Sequence, residues 1–73
     1  RMRGVTVVER FVADGKARAW PLGATPADGT LMCFFDGAYQ PSFTTRRTGP
    51  RTYVNFQEAP MASTLVSIHY TTG

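Results

Sequence analysis

Glycine and proline interrupt this chain so often that they decide its fold class. Seven glycines and five prolines are spread over 73 residues. No window of about a dozen residues is free of them while also spacing its apolar residues three and four apart, as an amphipathic helix requires. Between the turn residues, apolar and polar side chains alternate over lengths typical of strands. The sequence therefore predicts an all-β protein.

Seven segments have this strand character, at spacings of roughly eight to twelve residues. They cover residues 5–12, 17–22, 30–35, 38–40, 42–45, 52–56 and 64–70. Short strands at such spacings are typical of a small antiparallel β-sandwich or a partly open barrel of six to seven strands. We expect residues 1–4 to form an N-terminal arm and residues 5–73 to form a single β-sandwich domain.

Turn residues also suggest which strands are neighbours. Asp14-Gly15 lies between the first two segments, and Asp-Gly is a common two-residue hairpin turn because glycine tolerates positive φ. The sequence thus predicts a hairpin of the first two strands. In the second strand Trp20 and Leu22 share one face. Pro21 cannot donate a ladder hydrogen bond, so this strand lies at a sheet edge or ends there.

Residues 28–37 read DGTLMCFFDG, a mostly apolar segment between two Asp-Gly pairs. Leu31, Cys33 and Phe35 fall on one face of the predicted strand, and Met32 and Phe34 on the other. Two apolar faces indicate a central strand that is covered on both sides. Because the domain is small, we expect another molecule to cover the second face. In the last strand, the predicted inner set is Val66, Ile68 and Tyr70. The predicted outer set is Leu65, Ser67 and His69.

The size of the chain also favours a partner. A domain of this length buries only about 60% of the surface of its unfolded chain, and small domains usually need a disulfide, a metal or a partner. Cys33 is the one cysteine, so no internal disulfide forms, and one cysteine with His69 falls short of the four ligands of structural zinc. A binding partner is the remaining source of stability.

No catalytic or cofactor-binding arrangement is recognisable, so we expect a protein that is not an enzyme and needs no cofactor or metal. The only candidate base, His69, lies in an alternating strand, and Cys33 lies in an apolar segment where cysteine packs as a small hydrophobic residue. Three of the five acids belong to Asp-Gly turns. No segment has the length of a membrane span or the pattern of a signal peptide.

Eight basic against five acidic residues give a net charge of +3, and seven of the eight are arginine. Arg46, Arg47 and Arg51 lie together at the predicted tip of a hairpin, TTRRTGPRTY. Three interpretations are open: a protein contact, since interfaces are enriched in arginine; a solvated tip that protects a sheet edge; or a grip on phosphates with Phe43 or Tyr53 stacking on a base. The aromatic residues fall mostly at core positions, which favours the protein contact.

The order of these motifs resembles small β-sandwich modules of tailed-bacteriophage virion proteins, including tail, fibre and head-associated components. The resemblance covers about residues 9–70. Its motifs are an aromatic strand ending in Asp14-Gly15, then Trp20-Pro21-Leu22, Asp36-Gly37-x-x-Gln40, Val54-Asn55-Phe56 and Ala59-Pro60 before an alternating last strand. Ser63 departs from the pattern, which has glycine there, and predicts a different turn before Thr64.

The resemblance implies a non-enzymatic structural protein of the virion, assembled in the host cytoplasm, that decorates the capsid or belongs to the neck, tail or a fibre. Its partners would be other virion proteins and copies of itself. We expect the contacts to be made by Arg46, Arg47, Arg51, Met32, Phe34 and Leu65. The alternative is a small basic β-barrel that binds single-stranded nucleic acid through residues 46–51. A carbohydrate-binding module would need an exposed Trp20 or Tyr39, and we expect both to be buried.

Overall fold

The computed structural model describes residues 4–72, which form seven strands in two antiparallel sheets and contain no helix. The predicted all-β class is confirmed, and the arrangement is that of a small β-sandwich without a closed barrel. The predicted arm lies outside the described residues except for Gly4. The strands are β1 (Thr6–Val12), β2 (Ala19–Pro21), β3 (Met32–Phe35), β4 (Ala38–Gln40), β5 (Phe43–Thr48), β6 (Arg51–Phe56) and β7 (Leu65–Thr71).

The first sheet has the strand order β1-β7-β3-β4. As predicted, the apolar segment of residues 28–37 supplies an inner strand, β3, which is paired on both sides. In β7 the predicted inner set is buried, because Val66, Ile68 and Tyr70 alternate onto the face that packs against the second sheet. Cys33 faces the same way and has no exposed surface.

The second sheet has the order β2-β6-β5. β2 lies at its edge, as Pro21 predicts. Trp20 and Leu22 point inward and are buried, together with Val54 and Phe56 of the central strand β6. β5 and β6 form the predicted hairpin, but both strands are longer than the sequence suggests.

The two sheets are held together by aromatic packing. Phe56 has edge-on ring contacts with Trp20, Phe35 and Phe43, at centroid distances of 5.6, 4.8 and 6.5 Å. Trp20 in turn lies 6.1 Å from Phe11 of β1. Such ring pairs add to the stabilisation that comes from burial alone, and here they join strands of both sheets.

The turn at Asp36-Gly37 follows the primed geometry of two-residue hairpins. Its φ angles are 50° and 86°, both positive, and it joins β3 to β4. The Asp36 carboxylate also accepts a hydrogen bond of 2.8 Å from the Leu65 backbone N–H. One Asp-Gly pair therefore closes a hairpin and holds the start of β7 beside it.

The predicted hairpin at Asp14-Gly15 is wrong, because β1 and β2 belong to different sheets. Asp14 accepts hydrogen bonds from the backbone N–H groups of Lys16 and Ala17, at 2.8 and 2.9 Å. These hydrogen bonds lower the pKa of the Asp14 carboxyl, and the bond from Ala17 has the larger effect. The turn is real, but it carries the chain across the sandwich, and β1 pairs with β7 instead.

The turn at Ser63, where the resembled pattern has glycine, adopts a glycine-type conformation. Ser63 has a φ of 72°, the left-handed conformation that glycine adopts most easily. Its N–H donates to the Ala13 carbonyl oxygen at 2.8 Å, which ties the turn to the end of β1. A serine thus occupies a glycine-type position and carries the steric cost of its Cβ.

We therefore expect Ser63→Gly to raise the free energy of unfolding by about 0.5–1 kcal/mol. A left-handed conformation costs an L-residue about 1–2 kcal/mol, which glycine avoids. The greater conformational freedom of glycine in the unfolded chain offsets part of this stabilisation. The matched control is Ser67→Gly inside β7, which should destabilise by about 0.5–1 kcal/mol. Urea denaturation of both variants measures the two changes, and a loss of stability in Ser63→Gly would contradict the assignment of strain.

Candidate interaction surfaces

The face of the first sheet that points away from the second sheet is called the outer face. Antiparallel pairing aligns its side chains in rows across the strands. One row joins Val8, His69 and Met32, and the next joins Arg10, Ser67, Phe34 and Tyr39. Val12 and Leu65 form a further row at the end of the sheet. The outer face is therefore a continuous surface across all four strands.

Most of the outer face is apolar. The apolar outer patch consists of Val8, Val12, Met32, Phe34, Tyr39 and Leu65. Val12 is 72% exposed, Tyr39 55% and Met32 44%. Several large apolar side chains grouped on one side of a small domain are typical of a binding surface, whereas single exposed apolar residues are ordinary.

Phe34 organises the aromatic part of this patch. Its ring lies 5.7 Å from that of Tyr39 and 4.9 Å from that of His69. The prediction that Tyr39 is buried is wrong, because the two-residue turn leaves β4 as a short edge strand with open space over its outer side. The prediction that Trp20 is buried is confirmed.

The three arginines do not form a single loop patch. Arg46 and Arg47 are neighbours in β5 and therefore point to opposite faces, and Arg51 opens β6. The hairpin tip is Gly49-Pro50, rather than the predicted tip of residues 46–51. Arg46 is paired with Tyr53 and Arg51 with Thr48 on the exposed face of the second sheet. Arg47 is paired with buried Thr52 on the face that looks toward the first sheet.

Of the predicted contact residues, the structure brings three together and separates the others. Met32, Phe34 and Leu65 lie on the outer face, in neighbouring strands β3 and β7. Arg46, Arg47 and Arg51 belong to the other sheet. Sequence reasoning missed Val8 and Val12, although their alternation with the buried side of β1 indicates that they face outward.

No family model matches this chain. No curated protein and no solved structure shows significant similarity to it either. The case for a function therefore depends on the chain's own surfaces.

A polar cluster inside the sandwich was also not expected from the sequence. Glu9 alternates inward between Val7 and Phe11, and its carboxylate accepts hydrogen bonds from the Tyr70 hydroxyl and, at 2.9 Å, from the Gly23 N–H. The Tyr70 hydroxyl also accepts a bond of 3.2 Å from the Ala24 N–H. Burial, the hydrogen bond to Glu9 and the carboxylate charge raise the Tyr70 pKa to about 12. The cluster attaches the loop after β2 to the first sheet.

Two features of residues 4–72 concern possible chemistry, the burial of Cys33 and the spacing of the potential metal ligands. Cys33 is fully buried, and burial raises the pKa of its thiol to about 11, which disfavours the nucleophilic thiolate. No three His, Cys, Asp or Glu side chains in this part of the chain are grouped to hold a metal ion. Nowhere between residues 4 and 72 does the chain form a helix of the length and apolarity that a membrane crossing requires.

Proposed function

We propose that this chain is a non-enzymatic structural protein of a tailed-bacteriophage virion, a small β-sandwich that decorates the capsid or belongs to the neck, tail or a fibre. It binds a neighbouring virion protein through the apolar outer patch. The observation that carries the proposal is the row structure of that patch, in which Met32, Phe34 and Leu65 meet Val8, Val12 and Tyr39. The turn and strand motifs shared with virion modules support the choice of partner.

The patch would act by removing apolar surface from water. Each Å² of apolar area that a neighbour covers contributes roughly 25 cal/mol before the cost of association. A symmetric particle repeats the contact many times, so that a contact that is weak in one copy holds firmly when several copies are linked. Arg10 lies in the same row of the outer face as Phe34, with Ser67 between them, and is exposed, which favours a neighbour that offers a carboxylate there.

We expect Met32→Asp to reduce incorporation of the chain into virus particles at least tenfold. A charge within the patch would have to be desolvated on binding, whereas in the free domain it stays in water. The matched control is Met61→Asp, since Met61 is 80% exposed and lies in the connection before β7. Quantitative mass spectrometry of purified particles, with the major capsid protein as reference, measures the copy number of each variant.

Circular dichroism of both purified variants checks that the fold is intact. Equal incorporation of wild type and Met32→Asp would contradict the role of the patch, and absence of the wild-type chain from particles would contradict the virion role altogether. The alternative hypothesis, binding of single-stranded nucleic acid, uses Arg46, Arg51 and Tyr53 on the exposed face of the second sheet. It requires binding of oligo-dT that weakens steeply with salt, and no binding at low salt would exclude it.

A further inference from the structure

β5 is an edge strand whose outer backbone groups are free to pair. In an antiparallel ladder, residues alternate between those whose N–H and C=O point to one neighbour and those that point the other way. Between β2 and β6, the Leu22 N–H donates to the Thr52 carbonyl oxygen at 2.9 Å, and the Phe56 N–H donates to the Arg18 carbonyl oxygen at 2.8 Å. The alternate residues of β6, namely Arg51, Tyr53 and Asn55, therefore direct their N–H and C=O groups toward β5. They pair there with Thr48, Arg46 and Thr44.

The backbone groups of Thr45 and Arg47 consequently point away from β6, along the open edge of the sheet. The Phe43 carbonyl points the same way, while the Phe43 N–H donates to the Pro41 oxygen at 3.1 Å. Three consecutive outward positions are enough to add a short strand, because each pairing residue of the added strand supplies both a donor and an acceptor.

A groove lies beneath this edge. It has a volume of about 390 Å³ and runs between β5 and the loop of residues 25–31. Its walls include the apolar side chains Pro26, Leu31 and Phe43, with Arg47 and Asp28 also lining it. Side chains of an added strand that point inward would enter this groove, so the edge offers pockets as well as hydrogen bonds.

The charges on β5 select what can be added. Arg47 points inward toward the groove and Arg46 points outward, so a basic side chain stands on each face of the edge. An inward-pointing charge on an edge strand discourages pairing with apolar strands. A strand that carries acidic residues opposite both arginines converts that penalty into cross-strand ion pairs.

We infer that the free edge of β5 binds an extended acidic peptide segment of a partner protein, which adds to the second sheet as a fourth strand. The segment runs antiparallel to β5, with small apolar residues opposite Phe43 and Thr45 and acidic residues opposite Arg46 and Arg47. The site is separate from the outer face, so this inference and the proposed function can fail independently.

The other edges fit such a segment less well. β1 is longer, but the chain itself packs beneath it, where Trp20 contacts Phe11 and the Gly23 N–H bonds Glu9. β2 carries Pro21 at its open edge, where the missing N–H prevents regular pairing. β4 has only three residues, Ala38–Gln40.

The test uses the blocked hexapeptide Thr-Glu-Glu-Val-Thr-Val as a probe, with the full-length chain in solution. Its residues run antiparallel to residues 48–43, which sets both glutamates opposite the arginines. Two-dimensional NMR titration should show saturable shifts of the Thr45 and Arg47 amides. Hydrogen exchange of these two amides should slow at least fivefold when the peptide is bound, because they gain acceptors, whereas the Arg46 amide already bonds β6.

Two control peptides make the result specific. N-methylation of the first glutamate and the first valine removes two of the three N–H groups that face β5, and should weaken binding at least tenfold without changing side chains. Replacing both glutamates by lysine should weaken it at least tenfold through charge. Thr45→Pro, which removes an outward N–H only, should also abolish binding while leaving the wild-type spectrum elsewhere.

Absence of saturable binding would overturn the inference, as would equal binding of the N-methylated peptide. Shifts centred on Met32 and Phe34 would move the peptide to the outer face and equally overturn it. Without peptide, protection of the Thr45 and Arg47 amides from hydrogen exchange that increases with protein concentration would show that a second copy occupies the edge. The partner would then be that second copy and not an acidic segment, which would overturn the inference.

Discussion

Phe56→Ala is expected to lower the free energy of unfolding by about 3–5 kcal/mol, the usual cost of emptying a buried phenylalanine site. The Phe56 ring contacts Trp20, Phe35 and Phe43, and the side chain is 5% exposed. A domain of this size has roughly 4–11 kcal/mol of stability in total, at about 0.05–0.15 kcal/mol per residue. The variant should therefore lose a large share of its total stability and unfold at a much lower urea concentration than wild type.

The control is Phe34→Ala, the same change on the outer face. The Phe34 ring is half-buried against Tyr39 and His69 and is open to solvent on its other side. We expect a loss of about 1 kcal/mol, because less apolar area returns to water. Urea denaturation followed by tryptophan fluorescence measures both. Similar losses in the two variants would contradict the division between a core ring and a surface ring.

Local features of this fold follow closely from the sequence. The alternation in residues 64–70 separates buried Val66, Ile68 and Tyr70 from the outer set correctly, because strand periodicity depends only on near neighbours. Asp36-Gly37 forms a turn, as expected of an Asp-Gly pair, for the same reason. Such inferences need no knowledge of where the rest of the chain lies.

Strand pairing could not be predicted in this way. Asp14-Gly15 indicates a reversal of the chain, but the same chemistry serves a hairpin and a crossing between sheets. The choice depends on β7, more than fifty residues later, which pairs with β1 along its whole length. Turn residues describe the local backbone, whereas pairing is decided by long-range burial.

The interaction surfaces could be predicted only in part, because they too depend on how distant strands pair. Met32 and Phe34 follow from two apolar faces within one strand, but their meeting with Val8 and Val12 requires that β1 and β3 flank β7. The arginines looked like one cluster because they are close in sequence, and the strand geometry of β5 separates them. Glu9 was overlooked because an acid in a strand is usually on the solvent side, and its half-buried, inward position depends on partners 14 and 61 residues away.

Tyr70→Phe is expected to lower the free energy of unfolding at pH 7 by about 1–3 kcal/mol. The change removes the hydroxyl that donates to the Glu9 carboxylate and accepts from the Ala24 N–H, and it leaves both groups short of a partner in a partly buried place. The Gly23 N–H still bonds Glu9, which limits the loss. Glu9→Gln is the matched control, since the amide oxygen can still accept from Tyr70 and Gly23.

The same pair predicts how stability depends on pH. Folding raises the Tyr70 pKa from 10.0 to about 12, so the folded state holds its phenolic proton more tightly than the unfolded state. The resulting stabilisation is complete below pH 10 and is lost as the pH rises toward 12. The advantage of wild type over Tyr70→Phe should therefore shrink between pH 10 and 12. Cys33, whose thiol pKa is also raised, is common to both proteins and cancels in the difference.

Urea denaturation of wild type, Tyr70→Phe and Glu9→Gln at intervals from pH 7 to 12 measures this effect. Glu9→Gln should show a smaller fall with pH than wild type, because it removes the carboxylate that helps to raise the tyrosine pKa while burial remains. A difference in the free energy of unfolding between wild type and Tyr70→Phe that stays constant across this range would show that the Tyr70 hydroxyl titrates alike in the folded and unfolded states. The Glu9–Tyr70 bond would then be a surface contact, and the loop at Gly23 would be held in place by Leu22 packing instead.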